Sequence, residues 1–295
     1  MPKCSGSITI AVMPKDVQTG AVDLSGEKIH WKPSGGLSYG SYLNLEQLLS
    51  AQKPLSECPD EMLFIVIHQV TELWMKLTLH ELTGVLRQIQ SDELNPAFKM
   101  LARVARIQGQ LILSWDVLST MTPLDFMSFR DQLLQSSGFQ SYQYRTLEFM
   151  LGNKNKELIE VHREEPEIYA RLKKTLEAPS IYDETVRVLA RRGFDIPKDR
   201  VERDWSEPYE PHADVEAAWL EVYRDVETHW DLYELAEKLV DLEHKFQQWR
   251  FAHMKTVERI IGHKRGTGGT SGVSYLQKAL GLQFFPELWS VRTAI

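Results

Sequence analysis

Apolar positions in this chain recur mostly at three- and four-residue steps, the period of one helix face, and clear alternation is nearly absent. Asp60 reads as an N-cap, with Glu61 as first-turn charge, for a long helix from residue 62 to about 90. Its first half is apolar nearly all round, which predicts burial on every side, and His68 sits within it one turn after Phe64. A second long helix is predicted from about residue 96 to 118, with Leu101, Val104, Ile107, Leu111 and Trp115 on one stripe. Thr122 before Pro123 starts the next helical segment, which carries Phe126, Phe129 and Arg130. Residues 136–141 form a break, and a helix through Tyr144 follows.

From residue 154 to about 211 the pattern is more polar, with short helices over 169–177 and 182–191 that read as a peripheral excursion with a solvated charged face. Long helices resume over 215–226 and 229–261. In the last, Phe246, Trp249, Val257, Ile260 and Ile261 share a stripe on which His253 falls, so its ring points inward. Gly262 is placed to end that helix, beside Lys255 and Arg259. The N-terminal segment, residues 1–36, reads as loosely ordered or subunit-spanning, with a short strand over 5–12 and a loop signal at 33–36. Order begins at Tyr39, and a short helix covers 45–51. The predicted fold is all-α: a single large helical domain over residues 37–295.

Composition narrows the function classes. A 295-residue chain with 43% hydrophobic and 25% charged residues is an ordinary globular sequence. Its net charge of −7 argues against a broad nucleic-acid footprint. No apolar run approaches the roughly 20 residues that span a bilayer, and the N-terminus lacks a signal-peptide pattern. Two cysteines, Cys4 and Cys58, make no disulfide framework, which suits a reducing cytoplasm.

The candidate chemistry is two inward histidines, an arginine beside aromatics, and a loop, Arg265-Gly266-Thr267-Gly268-Gly269. An inward histidine is most often a satisfied core residue; the alternative for His253 is an axial haem ligand, and for His68 a partner to a buried ligand. Arg130 is either a surface side chain lying along apolar neighbours or a bidentate clamp for a carboxylate. The glycine loop is a connector or a lid that closes with its amides and the Thr267 hydroxyl over a ligand. No His-Glu-x-x-His, Cys-x-x-Cys-His or paired di-iron motif occurs.

On particular stretches the chain resembles the tryptophan 2,3-dioxygenase family of haem enzymes. The stretches are Tyr39-Gly40-Ser41-Tyr42-Leu43, Glu61-Met62-Leu63-Phe64-Ile65 with His68-Gln69, Glu72-Leu73-Trp74 and Phe129-Arg130. They continue with residues 136–141, Gln143-Tyr144-Arg145, Trp249-Arg250-Phe251 with His253, and residues 265–269. The resemblance implies opening of the indole ring of L-tryptophan by O₂ to give N-formyl-L-kynurenine, the first step of tryptophan catabolism by the kynurenine route. It implies one haem b per subunit with His253 as its iron ligand, and Trp115, Ser137 and Tyr144 around the cofactor. His68 would accept the indole N–H, Phe64 and Phe126 would flank the substrate, and Arg130 and Thr267 would hold its amino-acid end. Tyr39, Tyr42 and Leu43 would reach a neighbouring subunit's site in a cytoplasmic homotetramer, with no nucleic-acid or membrane partner. The chain departs from the pattern at Phe126, a tyrosine in some relatives, and at Ile67 and Val70 beside His68. A related haem monooxygenase, a non-catalytic haem sensor and a plain helical scaffold stand as alternatives.

Overall fold

The computed structural model describes residues 21–31 and 36–295. Cys4, the strand expected over residues 5–12 and all but the last residue of the loop signal at 33–36 lie outside them. The chain forms two compact units, divided between Ala51 and Gln52. In the first, α1 (Tyr39–Leu43) is capped by Ser38 and Ser41 bonding reciprocally, and Asn44, at φ 52°, turns the chain into α2 (Leu45–Leu49).

The second unit is built on three long helices. The first, α3 (Pro59–Gln90), spans 32 residues, about 48 Å of helix. Its N-cap is Cys58 rather than the expected Asp60, because Pro59 suits the first helical position. Glu61 then reaches back, accepting from the Leu55 and Ser56 amides, both at 2.7 Å. A short turn reverses the chain into α4 (Leu94–Leu118), which packs along α3. Thr122 and Pro123 start α5 (Pro123–Phe129) as the sequence predicts, with Asp125 completing a capping box. One 3₁₀ turn carries Arg130 and a second spans Gly138–Gln140, ahead of α6 (Tyr142–Leu151).

The polar middle holds α7 (Pro166–Leu176), α8 (Ile181–Arg191) and the short α9 (Lys198–Val201). Its charges are not all solvated: Lys154, Asp183 and Glu184 are buried. Lys154 Nζ donates to the carbonyls of Thr175, Leu176 and Ala178 at the end of α7, the favourable place for a cation. Next come α10 (Ala213–Arg224) and α11 (Trp230–Ile261), which packs along α4 and ends at Gly262 with φ 59°. Finally α12 (Val273–Leu280) lies against α11, and α13 (Pro286–Ala294) packs mainly on α10. No strand occurs among the described residues.

The main core gathers at one end of the long helices, where Leu82, Val85 and Ile89 meet Leu101, Val104, Leu235 and Leu239. At the other end the helices surround a cavity instead of closing. The first half of α3 is therefore not buried on every side as its apolar pattern predicts. One face lines the cavity, and Met62, Val66, Leu73 and Leu77 stay exposed on another. By length and composition alone α3 is long and apolar enough to cross a bilayer, as core helices can also be: its most apolar stretch has mean hydropathy 1.3, with 11% of it buried. That corrects the expectation that no stretch approaches a membrane span; Gln69, Glu72 and Lys76 interrupt the run without lowering its average enough.

Candidate functional site

The cavity has a volume of about 260 Å³ and lies among α3, α4, α5, α6, α11, α12 and the glycine loop. It brings together nine of the residues singled out in the sequence: Phe64, His68, Trp115, Phe126, Arg130, Ser137, Tyr144, His253 and Thr267 all line it. The other three, Tyr39, Tyr42 and Leu43, lie on α1 in the first unit, exposed by 76%, 73% and 40%.

Helical spacing places the α3 contributors. Phe64, His68, Thr71, Glu72 and Met75 recur at three- and four-residue steps and line the same cavity. The Phe64 and His68 rings lie 4.1 Å apart, and Phe64 also meets Phe126 and Phe129 at 5.9 and 5.6 Å. His68 Nδ1 lies 2.7 Å from the Phe64 carbonyl oxygen. A carbonyl only accepts, so Nδ1 carries the proton and Nε2 is left as an acceptor. Burial holds the His68 pKa below its ordinary value, against the Phe64 carbonyl and Glu72, which raise it. The ring is neutral at pH 7.

His253 projects from α11 with its plane against Trp115, centroids 4.5 Å apart and planes 8° from parallel. Trp249 leans on it at 5.5 Å. Burial, and secondarily the nearby His68, push the His253 pKa down to about 4. A neutral imidazole beside a cavity is a metal ligand in waiting. Among the described residues no group of three or more His, Cys, Asp or Glu side chains could hold an ion. Any metal here must bring its other ligands with it.

Arg130 sits half-buried above Phe126, its guanidinium carbon 5.8 Å from the ring centre. Its Nη2 donates to the Arg265 carbonyl, while Nη1 is buried without a partner. An unpaired guanidinium N–H in a closed site is costly, and a ligand carboxylate would satisfy it. The glycine loop is latched nearby, with the Thr267 hydroxyl donating to the Ser136 carbonyl at 2.7 Å. Gly268 presses so closely on Ser137 that a Cβ there would meet its Cβ and Oγ at 2.7 Å. The loop closes over the cavity through Thr267, as a lid would, although the hydroxyl contacts protein here.

Three sets of contacts were not legible in the sequence, although Tyr144 itself was singled out there. Tyr144 stacks on Phe246, 6.0 Å away and 9° from parallel, and burial keeps its phenol protonated well above the ordinary range. Beside it Glu148 is shared by Arg145, at 2.5 Å, and Arg250, at 3.1 Å, all three buried. Arg250 also donates to the Ala279 and Leu282 carbonyls and so ties α12, a cavity wall, to α11. The i,i+3 spacing of Arg145 and Glu148 was legible, but not the distant Arg250 that buries them. Glu72 is the third: its carboxylate accepts from Gln143 Nε2 at 2.7 Å at the cavity edge.

Comparison with known proteins supplies an independent line. Residues 25–295 match the family model described as tryptophan 2,3-dioxygenase. A relative of that name from Bacillus thuringiensis is 58% identical over 267 residues, covering 90% of this chain and 96% of its own. Another from Burkholderia cenocepacia is 60% identical over 262 residues, covering 89% of this chain and 84% of its own.

Proposed function

The chain belongs to the tryptophan 2,3-dioxygenase family, and from that premise we propose how its cavity opens the indole ring of L-tryptophan to N-formyl-L-kynurenine. The enzyme is an oxidoreductase whose substrates are tryptophan and O₂. The monooxygenase and non-catalytic alternatives have no support from the relatives it matches.

Haem b is the cofactor, one per subunit, with His253 as iron ligand. The fit rests on three observations: a neutral imidazole with no hydrogen-bond partner, an aromatic cavity beside it, and no protein ligand set among the described residues that would complete a bare metal ion. A porphyrin supplies nitrogen ligands of its own, so His253 alone would be enough to hold it. Trp115, Ser137 and Tyr144 line the space it would fill. When bound, haem supplies the binding and activation of O₂.

The chain itself positions the substrate, and positioning is the larger part of its task. Arg130 pairs its free Nη1 with the tryptophan carboxylate, and Thr267 turns from the Ser136 carbonyl to the amino-acid end. His68 Nε2 accepts the indole N–H, and Phe64 and Phe126 flank the ring. Phe126 has no hydroxyl to share the carboxylate, so Arg130 carries that charge alone. His68 orients rather than removes a proton, since attack at C3 does not require an indole anion. Water exclusion falls to the glycine loop and the aromatic walls.

The functional form is a homotetramer in the cytoplasm. On α3 the bare stripe of Met62, Val66, Leu73 and Leu77 supplies an apolar face for a second copy. The exposed rings of Tyr39 and Tyr42, with Leu43, complete a neighbouring subunit's pocket. Nucleic acid and membrane are not partners.

The observation that carries the reading is His68 Nε2 and the unpaired Arg130 Nη1 lining one cavity with His253. The test is mass analysis of tryptophan incubated with haem-loaded, reduced protein under labelled O₂. Gain of two labelled oxygen atoms is expected; gain of one would replace the dioxygenase by a monooxygenase. A His68→Ala enzyme should keep measurable turnover. Complete loss with normal tryptophan binding would make His68 an obligate base.

A further inference from the structure

The two inward histidines are fixed by different means. His68 donates Nδ1–H to a carbonyl of its own helix. For His253 no protein group among the described residues hydrogen-bonds either ring nitrogen. Iron-bound imidazoles ordinarily donate the second N–H to a carboxylate, carbonyl or water, and that bond sets both ring rotation and ligand basicity. Here the contacts that the protein makes with the imidazole are rings. Trp115 lies flat on His253 at 4.5 Å and 8°, and Trp249 packs against both, 5.6 Å from Trp115. The indole N–H groups of Trp115 and Trp249 are buried without partners, so neither tryptophan is oriented by a competing hydrogen bond.

Resting on the assignment of His253 as iron ligand, we propose that Trp115 is its positioning residue. Stacking on Trp115 sets the rotation of the imidazole where His253 would hold the iron. A stacked ring restrains rotation without drawing on the second N–H of the imidazole. The clamp stands on firm ground. Trp115 and His253 come from α4 and α11, which pack along each other and are tied where Gln108 Nε2 donates to the Leu242 carbonyl at 3.0 Å.

The experiment compares haem-loaded wild type with Trp115→Phe, Trp115→Leu and Trp115→Met, the last filling much of the space without a ring. The readouts are the iron–imidazole stretching band of the ferrous protein and the rate of haem transfer to a scavenging apoglobin. Trp115→Phe should keep a single sharp band near the wild-type position. The Leu and Met variants should show a shifted or broadened band, with haem lost roughly tenfold faster or more, the scale of outer-shell losses at metal sites. A wild-type band and rate in either ringless variant would overturn the proposal. His253→Ala separates this from the ligand assignment: if the wild-type haem spectrum survives that change, the assignment itself falls, whatever Trp115 does.

Discussion

Arg130 is the residue on which the carboxylate of the substrate depends most, because Phe126 has no hydroxyl to share it and Thr267 carries no charge. Lysine keeps the charge but loses the planar pair of donors. Arg130→Lys should lower kcat/KM for tryptophan about 30- to 100-fold, or 2–3 kcal/mol of transition-state stabilisation. Tryptamine, which lacks the carboxylate, should show little change, and steady-state kinetics on both compounds check this. His68 gives a pH dependence. Its folded pKa is lowered, mainly by burial, so the acceptor at Nε2 survives below the ordinary histidine value of about 6.5. It is lost only as pH falls through the lowered pKa, when protonation sets a donor against the indole N–H. The acid limb of kcat/KM should therefore lie below pH 6.5 and flatten for an N-methylated indole. Both inward histidines were legible from spacing, since residues four apart share a helix face. Their protonation states were not, because these follow from burial and from a carbonyl whose position the fold decides.

At the scale of elements, the glycine loop and the C-terminal helices close the cavity by different means. The loop depends on close approach: in Gly268→Ala the new Cβ must displace Ser137. Overpacking of this kind costs about 1–3 kcal/mol. Tryptophan KM should rise roughly tenfold and the loop should become easier to cleave, both measurable on one preparation. The C-terminal wall depends on a buried carboxylate. Glu243 accepts from the Phe284 amide at 2.6 Å, the Phe285 amide at 3.1 Å and the Trp289 indole at 2.8 Å. Glu243→Leu strands all three donors and should cost about 3 kcal/mol or more, a melting-temperature fall of roughly 6–12 °C. The long helices were readable because their stripes repeat over many turns, and the start of α5 because Thr122 and Pro123 are local signals. The cap of α3 falls earlier than Asp60, which is a good cap by type, because Pro59 already occupies the first helical position. The roles of α12 and α13 were not readable. What places them is Glu243 and Arg250, whose partners lie far along the chain and leave no periodic trace.

For the whole molecule, apolar character and burial part company on α3. Its first half has almost no polar face, and the fold uses that half twice, toward the cavity and toward the outside. Periodicity reports that a surface is apolar, not whether its cover comes from the same chain. Leu73→Lys together with Leu77→Lys should leave the monomer folded, since both side chains are already exposed, and dissociate the assembly. Light scattering with circular dichroism separates the two effects. A double variant that unfolds instead, or stays fully assembled, would remove this face from the subunit contact.

The same helix also defines a compact unit for redesign. Phe64, Ile67, His68, Thr71, Glu72 and Met75 all face the cavity from one continuous stretch. The His68 ring is anchored to the Phe64 carbonyl within that stretch, not to another part of the chain. A single oligonucleotide cassette over codons 64–75 therefore recodes most of one wall while leaving its histidine tether in place. Libraries aimed at substituted indoles need no simultaneous repair elsewhere if they hold constant Glu72, which Gln143 bonds, and the outward-facing residues 66 and 73.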